Sequence, residues 1–152
     1  MHEEAAKTVT FELGRVVVTR NCLTAIGDVI DQQRYKPHGM TAARESLDLL
    51  AMQLLQGPIA RHHRGDWGDI ATDDVGLNEQ ALKDGSRLLS VYDVRSEKVW
   101  ILTDAATDVC AACWTGVGRC EPEKGEWHGG VHFRDDLPAQ RLSTTVLLPE
   151  DY

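Results

Sequence analysis

Arg87-Leu-Leu-Ser-Val-Tyr-Asp-Val94 and Lys98-Val-Trp-Ile-Leu-Thr103 are two apolar runs, rich in β-branched and aromatic residues, separated by the polar turn Arg95-Ser-Glu97. Such runs flanking a short polar turn predict two antiparallel strands joined as a hairpin. Thr144 to Leu148 has the same apolar density and stops at Pro149, so it adds a third strand to a meander. The segment 104 to 142 is then a long excursion between the second and third strands.

Upstream, residues 9 to 19 carry Val9, Phe11, Leu13, Val16, Val17 and Val18 around Gly14, and predict a strand or short hairpin. Asn21 reads as a cap for a short helix through Cys22, Leu23 and Ile26 that ends at Gly27. Residues 28 to 40, with Pro37 and Gly39, read as a connecting loop. Thr41 would cap a helix bearing Ala43, Leu47, Leu50 and Leu54, stopped at Gly57-Pro58, with one further turn over Ile59 to Arg64. Thr72-Asp-Asp74 supplies a cap and an acidic first turn for another helix, which ends at Gly85. The expected fold is α+β: a small antiparallel sheet, made of an N-terminal strand and a C-terminal meander, packed against two or three helices. Residues 1–152 form one domain, with 106–141 as an inserted loop or subdomain.

A chain of 152 residues buries roughly two-thirds of its unfolded surface, so no metal is needed to explain folding. The formal net charge of −8, from 16 basic and 24 acidic residues, argues against broad nucleic-acid binding. The start, Met1-His-Glu-Glu-Ala-Ala-Lys7, lacks the features of a secretory signal, and no apolar stretch reaches the ~20 residues that span a bilayer. The expected location is cytoplasmic, with no membrane association. In that reducing setting the four cysteines are thiols or metal ligands, and isolated Cys22 is a small buried apolar residue.

Metal-ligand residue types crowd one stretch: Cys110, Cys113, Cys120, His128 and His132. Cys-x-x-Cys, then Cys, then His-x-x-x-His is compatible with zinc held tetrahedrally by the three thiolates and one of the two histidines, ordering a loop too polar to build its own core. The preferred reading makes the cysteines partly buried thiols and the histidines surface residues. Gly129-Gly130 between the histidines disfavours a helical metalloprotease face. A thioredoxin-like role for Cys110-x-x-Cys113 lacks the parallel sheet it needs.

A second stretch, Arg61-His-His-Arg-Gly-Asp-Trp-Gly-Asp69, contains the weaker catalytic candidates His62, His63 and Asp66. The preferred reading is structural. Trp67 packs on the sheet, the aspartates hold backbone amides, and the glycines take conformations other residues avoid.

Phe11-Glu-Leu-Gly-Arg-Val-Val-Val-Thr19, His63-Arg-Gly-Asp-Trp-Gly-Asp69, Asp84-Gly-Ser-Arg-Leu-Leu-Ser-Val-Tyr92, Val99-Trp-Ile-Leu-Thr103 and Thr144-Thr-Val-Leu-Leu-Pro-Glu-Asp-Tyr152, with Asn78 and Ala81-Leu82, resemble a family of small bacterial proteins. Its members are plasmid-borne or carried on other mobile elements, and are sometimes labelled restriction-modification subunits. The resemblance implies a frame and a genetic setting, and it brings no catalytic residue. Residues 28 to 50 and 106 to 141 lie outside the family pattern as additions, and the second holds every clustered Cys and both late His residues. The expected function is a non-catalytic accessory or protein-interaction protein of a mobile element, with an unidentified protein partner; a structural zinc in the insertion is the one cofactor that the sequence admits. The alternatives are a metal-dependent hydrolase or nuclease using the His-rich turn, a ribonuclease-like toxin, and an acidic inhibitor of a DNA-binding defence enzyme.

Overall fold

The computed structural model describes residues 11–152, so Val9 of the first expected strand lies outside the described residues. The hairpin forms as its sequence requires. Strands β2 (Leu88–Val94) and β3 (Glu97–Thr103) pair antiparallel from Leu88↔Thr103 to Val94↔Glu97. The turn is shorter than expected, because Glu97 already belongs to β3 and only Arg95 and Ser96 remain, at φ 52° and 73°. Two positive φ values in a two-residue loop match the twist of the strands, as a type I′ turn does. Asp93 accepts the Ser96 N–H at 2.9 Å and so holds the loop in place of a glycine.

Ser143–Leu147 pairs antiparallel with β3, which completes the meander. Arg15–Val18 is the N-terminal strand, β1, and it lies parallel to Ser143–Leu147, with Arg15 opposite Ser143 and Val18 opposite Val146. The four-stranded sheet is therefore mixed, with β1 at one edge and β2 at the other. No tight turn connects β1 to its neighbour, so no loop geometry forces an antiparallel direction on it.

Alternation along the strands puts Ser90, Tyr92, Val94, Val99, Ile101, Thr103, Thr144 and Val146 on one buried face. Helix α1 (Arg20–Ile30) brings Cys22, Ile26 and Ile30 to that face, and α2 (Arg44–His63) brings Leu47, Ala51 and Leu55. A second cluster, Phe11, Trp67, Ala81 and Leu88, joins α3 (Thr72–Asp84) to the sheet beside the Gly65–Asp69 turn.

Both ends of α1 differ from the sequence expectation. Thr19, not Asn21, caps α1, accepting the Cys22 N–H at 3.2 Å, while Asn21 donates to Asp151 at 2.8 Å. The helix also runs through Gly27. That residue is buried where α1 meets α2, and a Cβ there would press on the Arg44 guanidinium and lie 3.2 Å from Leu47 Cβ. The glycine serves helix crossing rather than termination. Most of the expected loop is consequently helical: a π turn over Asp31–Tyr35 and a 3-10 turn over Lys36–His38, stopped at Gly39 with φ 69°.

Helix α2 begins after Ala43, two residues beyond Thr41, and continues through Gly57-Pro58 to His63. A proline inside a helix costs on the order of 3 kcal/mol, yet Ile59 packs on the main core beyond it and His62 is fully buried. Gly57 carries no Cβ to clash with the proline ring, which removes part of the usual conflict at the residue before proline. Helix α3 has the expected acidic first turn, with Asp73 and Asp74, and the expected left-handed cap at Gly85, but Thr72 is its first helical residue and Ala71 takes the N-cap position without a side-chain bond.

The excursion carries structure of its own. Bridges Thr107↔Gln140 and Val109↔Phe133 close its neck. Beyond them lie the short helix α4 (Ala111–Thr115) and a hairpin of β4 (Glu126–His128) and β5 (Val131–Phe133). Ser143–Leu147 is therefore β6 in chain order. Among the described residues, no helix is long and apolar enough to cross a membrane.

Candidate metal centre

Cys110 immediately precedes α4 and Cys113 lies within it, so one helical turn sets the two sulfurs on a common side. Cys120 follows on the loop, and β5 supplies His132. The ligand atoms of Cys110, Cys113, Cys120 and His132 all lie within 4.8 Å of one another. Cys113 Sγ is 3.4 Å from Cys120 Sγ, and His132 Nδ1 is 3.7 Å from Cys113 Sγ and 3.4 Å from Cys120 Sγ. No disulfide joins them, since all four cysteines of the chain are free.

Backbone pairing builds this arrangement. Cys110 N–H donates to the His132 carbonyl at 2.9 Å, so the neck of the module brings the first cysteine to the histidine strand. His132 is 2 % exposed and lies flat against Trp127, with ring centroids 4.3 Å apart. Its Nε2–H donates to the Lys124 carbonyl at 2.6 Å. A carbonyl can only accept, so the proton sits on Nε2 and Nδ1 faces the sulfurs with its lone pair free. This second hydrogen bond is the usual orienting partner of a metal-bound imidazole.

Electrostatics favour a cation at the centre. Burial pushes the Cys110 thiol up, but the Cys113 and Ala112 amides and the neighbouring thiols outweigh it and bring the group down to about 7. Hydrogen bonding to Cys113, burial and the Cys110 charge hold Cys120 up at about 12. Three thiols this close cannot all ionise against one another, and a divalent ion between them removes that conflict. The four residues can hold a metal ion.

The fifth sequence candidate does not join them. His128, at the end of β4 and four residues before His132, is exposed and pairs with Glu126 at 2.9 Å. Strand alternation explains the choice, because His128 is opposite Val131 while His132 is opposite Trp127, on the other side of the pleat.

The Arg61–Asp69 stretch has a different character. His62 is wholly buried between Ser90 and Thr103, with Nδ1 2.5 Å from the Ser90 hydroxyl and Nε2 2.8 Å from that of Thr103. Thr103 lies 2.7 Å from the Thr144 hydroxyl, which donates to the Leu13 carbonyl at 2.7 Å. That last acceptor fixes every proton in the chain. Thr144 must accept from Thr103, Thr103 from His62 Nε2–H, and His62 Nδ1 from Ser90. Burial, with His63 and Arg141 nearby, lowers His62 to about 3, so the ring is a neutral tie between α2 and three strand residues.

Asp66 is paired with Arg61 at 2.8 and 3.2 Å, which holds its carboxyl below the usual range, and it also accepts the Gly68 N–H at 3.3 Å. Trp67 is buried against Phe11 and donates its indole N–H to Glu79 at 3.0 Å. Gly68 bridges Val91 at the β2 edge with φ 71°, where a Cβ would strike the Val91 carbonyl and the Tyr92 ring. His63 is half-buried, edge-on to Phe11. None of these three candidate side chains belongs to the Cys/His group.

Sequence reasoning passed over Arg141. The residue is 7 % exposed, and its guanidinium donates to the carbonyls of Ser86, Asp104 and Ala81 at 2.7, 3.1 and 2.9 Å. It ties the C-terminal turn of α3 to the start of the excursion, where a cation also suits the helix dipole. Its placement just before an apolar strand was the only sequence signal. Comparison of the chain with family models, with curated proteins and with solved structures gave no match.

Proposed function

We propose that Cys110, Cys113, Cys120 and His132 hold a structural zinc ion, and that the protein is a non-catalytic accessory or interaction protein of a bacterial mobile element. The observation that carries the zinc reading is the mutual spacing of the four ligand atoms around one point. Tetrahedral zinc with Zn–S of about 2.3 Å and Zn–N of about 2.0 Å needs sulfurs about 3.8 Å apart and sulfur–nitrogen separations of about 3.5 Å. The separations of 3.4, 3.7 and 3.4 Å quoted above fit that shape with small adjustments. Three soft thiolates and one imidazole select zinc over hard cations. Four protein ligands also complete the coordination sphere, which is the mark of a structural site and not a catalytic one.

The interaction reading draws support from the module itself. Trp114, in α4, and Val117, just beyond it, stand 63 % and 74 % exposed, the kind of apolar surface that partners cover. The mobile-element setting rests on the sequence resemblance.

The test is elemental analysis of protein purified without added metal. About one zinc per chain is expected, retained in His128→Ala and lost in Cys113→Ser and His132→Ala. Wild-type protein without metal sinks the zinc reading. Turnover of nucleic acid, peptide or nucleotide that is abolished by His63→Ala or Asp66→Asn sinks the non-catalytic one and favours the hydrolase alternative.

A further inference from the structure

We infer that Cys113 and Cys120 are a peroxide-sensitive pair that closes to a disulfide and expels the metal, so that the module is a redox-labile element; this rests on the zinc reading above. The four ligands are not equally accessible. Cys110 and His132 are 3 % and 2 % exposed, whereas Cys113 is exposed and Cys120 half-exposed. The two accessible sulfurs are 3.4 Å apart, so a bond of about 2.05 Å forms with a shift of little more than an ångström. Cys120 lies on an irregular loop between α4 and β4, flanked by Gly118 and Pro122, which can make that shift.

The chemistry balances with a hydroperoxide as oxidant. The Cys113 thiolate attacks one peroxide oxygen, the O–O bond breaks, and hydroxide leaves to be protonated to water. The resulting sulfenic acid is attacked at sulfur by the Cys120 thiolate, the S–S bond forms, the S–O bond breaks, and a second hydroxide leaves and takes up a proton. Two thiolates are oxidised by two electrons and one hydrogen peroxide is reduced to two waters. The ion then keeps only Cys110 and His132, too few to retain it. With it go the restraints on α4, the 116–125 loop and the Trp127–His132 stack.

Zinc-loaded full-length protein is treated with hydrogen peroxide in the presence of a chromogenic zinc chelator, then alkylated and digested with trypsin. Arg119 lies between the two cysteines, so trypsin separates them unless they are linked, whereas Cys110 and Cys113 stay on one peptide. The expected result is release of about one zinc per chain, a Cys113–Cys120 cross-link located by fragmentation, and recovery of bound zinc after dithiothreitol and added metal. Cys22→Ser behaves the same, since that thiol is buried in the main core. Retention of zinc, a Cys110–Cys113 disulfide, or sulfinic acid without a cross-link overturns the inference. Metal content before oxidant is added reports separately on the zinc reading.

Discussion

Acidification should destabilise this protein through His62. Burial lowers the folded pKa of this imidazole to about 3, against about 6.5 in an unfolded chain. A depressed folded value means that the unfolded state binds the extra proton first, so the stabilising contribution is complete above about pH 6.5 and falls as pH drops towards the folded value. Each pH unit in that window removes about 1.4 kcal/mol, so pH 5 costs about 2 kcal/mol relative to pH 7. The geometry explains why the ring resists the proton. Nδ1 already accepts from Ser90, and a second ring N–H would face that donor in a site with no exposure. The assay is urea unfolding at pH 7, 6 and 5 for wild type and His62→Gln, in which the amide Nε2 can replace the donor to Thr103. Proton uptake at the metal ligands is common to both proteins and cancels in the difference. Wild type should lose about 2 kcal/mol more than the variant between pH 7 and pH 5. Parallel slopes, or a His62 ring resonance in the folded protein that titrates near pH 6.5, would refute the reasoning.

Gly68→Ala should cost about 2 kcal/mol or more in urea unfolding, because the new Cβ meets the Val91 carbonyl at a left-handed backbone position; an unchanged midpoint contradicts the bridge. Arg141→Met leaves the Ser86, Asp104 and Ala81 carbonyls without their donor, and should lower stability by about 2–3 kcal/mol, read by thermal unfolding. Pro58→Ala should raise stability by about 1 kcal/mol, since an amide then becomes available inside α2; a fall would mean the ring contributes packing that outweighs the missing bond. Chelation of the zinc-loaded protein should change Trp127 fluorescence as its stack with His132 loosens, while hydrogen-exchange protection in β2 and β3 persists, because the main core under the sheet draws on no residue of the module.

The elements that the sequence alone determined are those decided by neighbours in the chain. Leu88 to Thr103 alternates around a turn that only a hairpin accommodates, and Asp84-Gly85 ends a helix whatever surrounds it. The α+β class follows from these, and the crowding of Cys110, Cys113, Cys120 and His132 was visible as spacing. Tertiary structure decided what depends on distant partners. Gly27 and Pro58 read locally as stops, yet packing of Leu47 against α1 and of Ile59 and His62 against the sheet carries both helices through. The direction of β1 was open because no short turn ties it to β6. His128 and His132 were equal candidates until the pleat of a two-stranded hairpin turned one to the sulfurs and the other to solvent. The role of His62 came from Ser90, Thr103 and Thr144, each contributed by a different strand, and a proton's position in such a chain is fixed only when every donor and acceptor is in place.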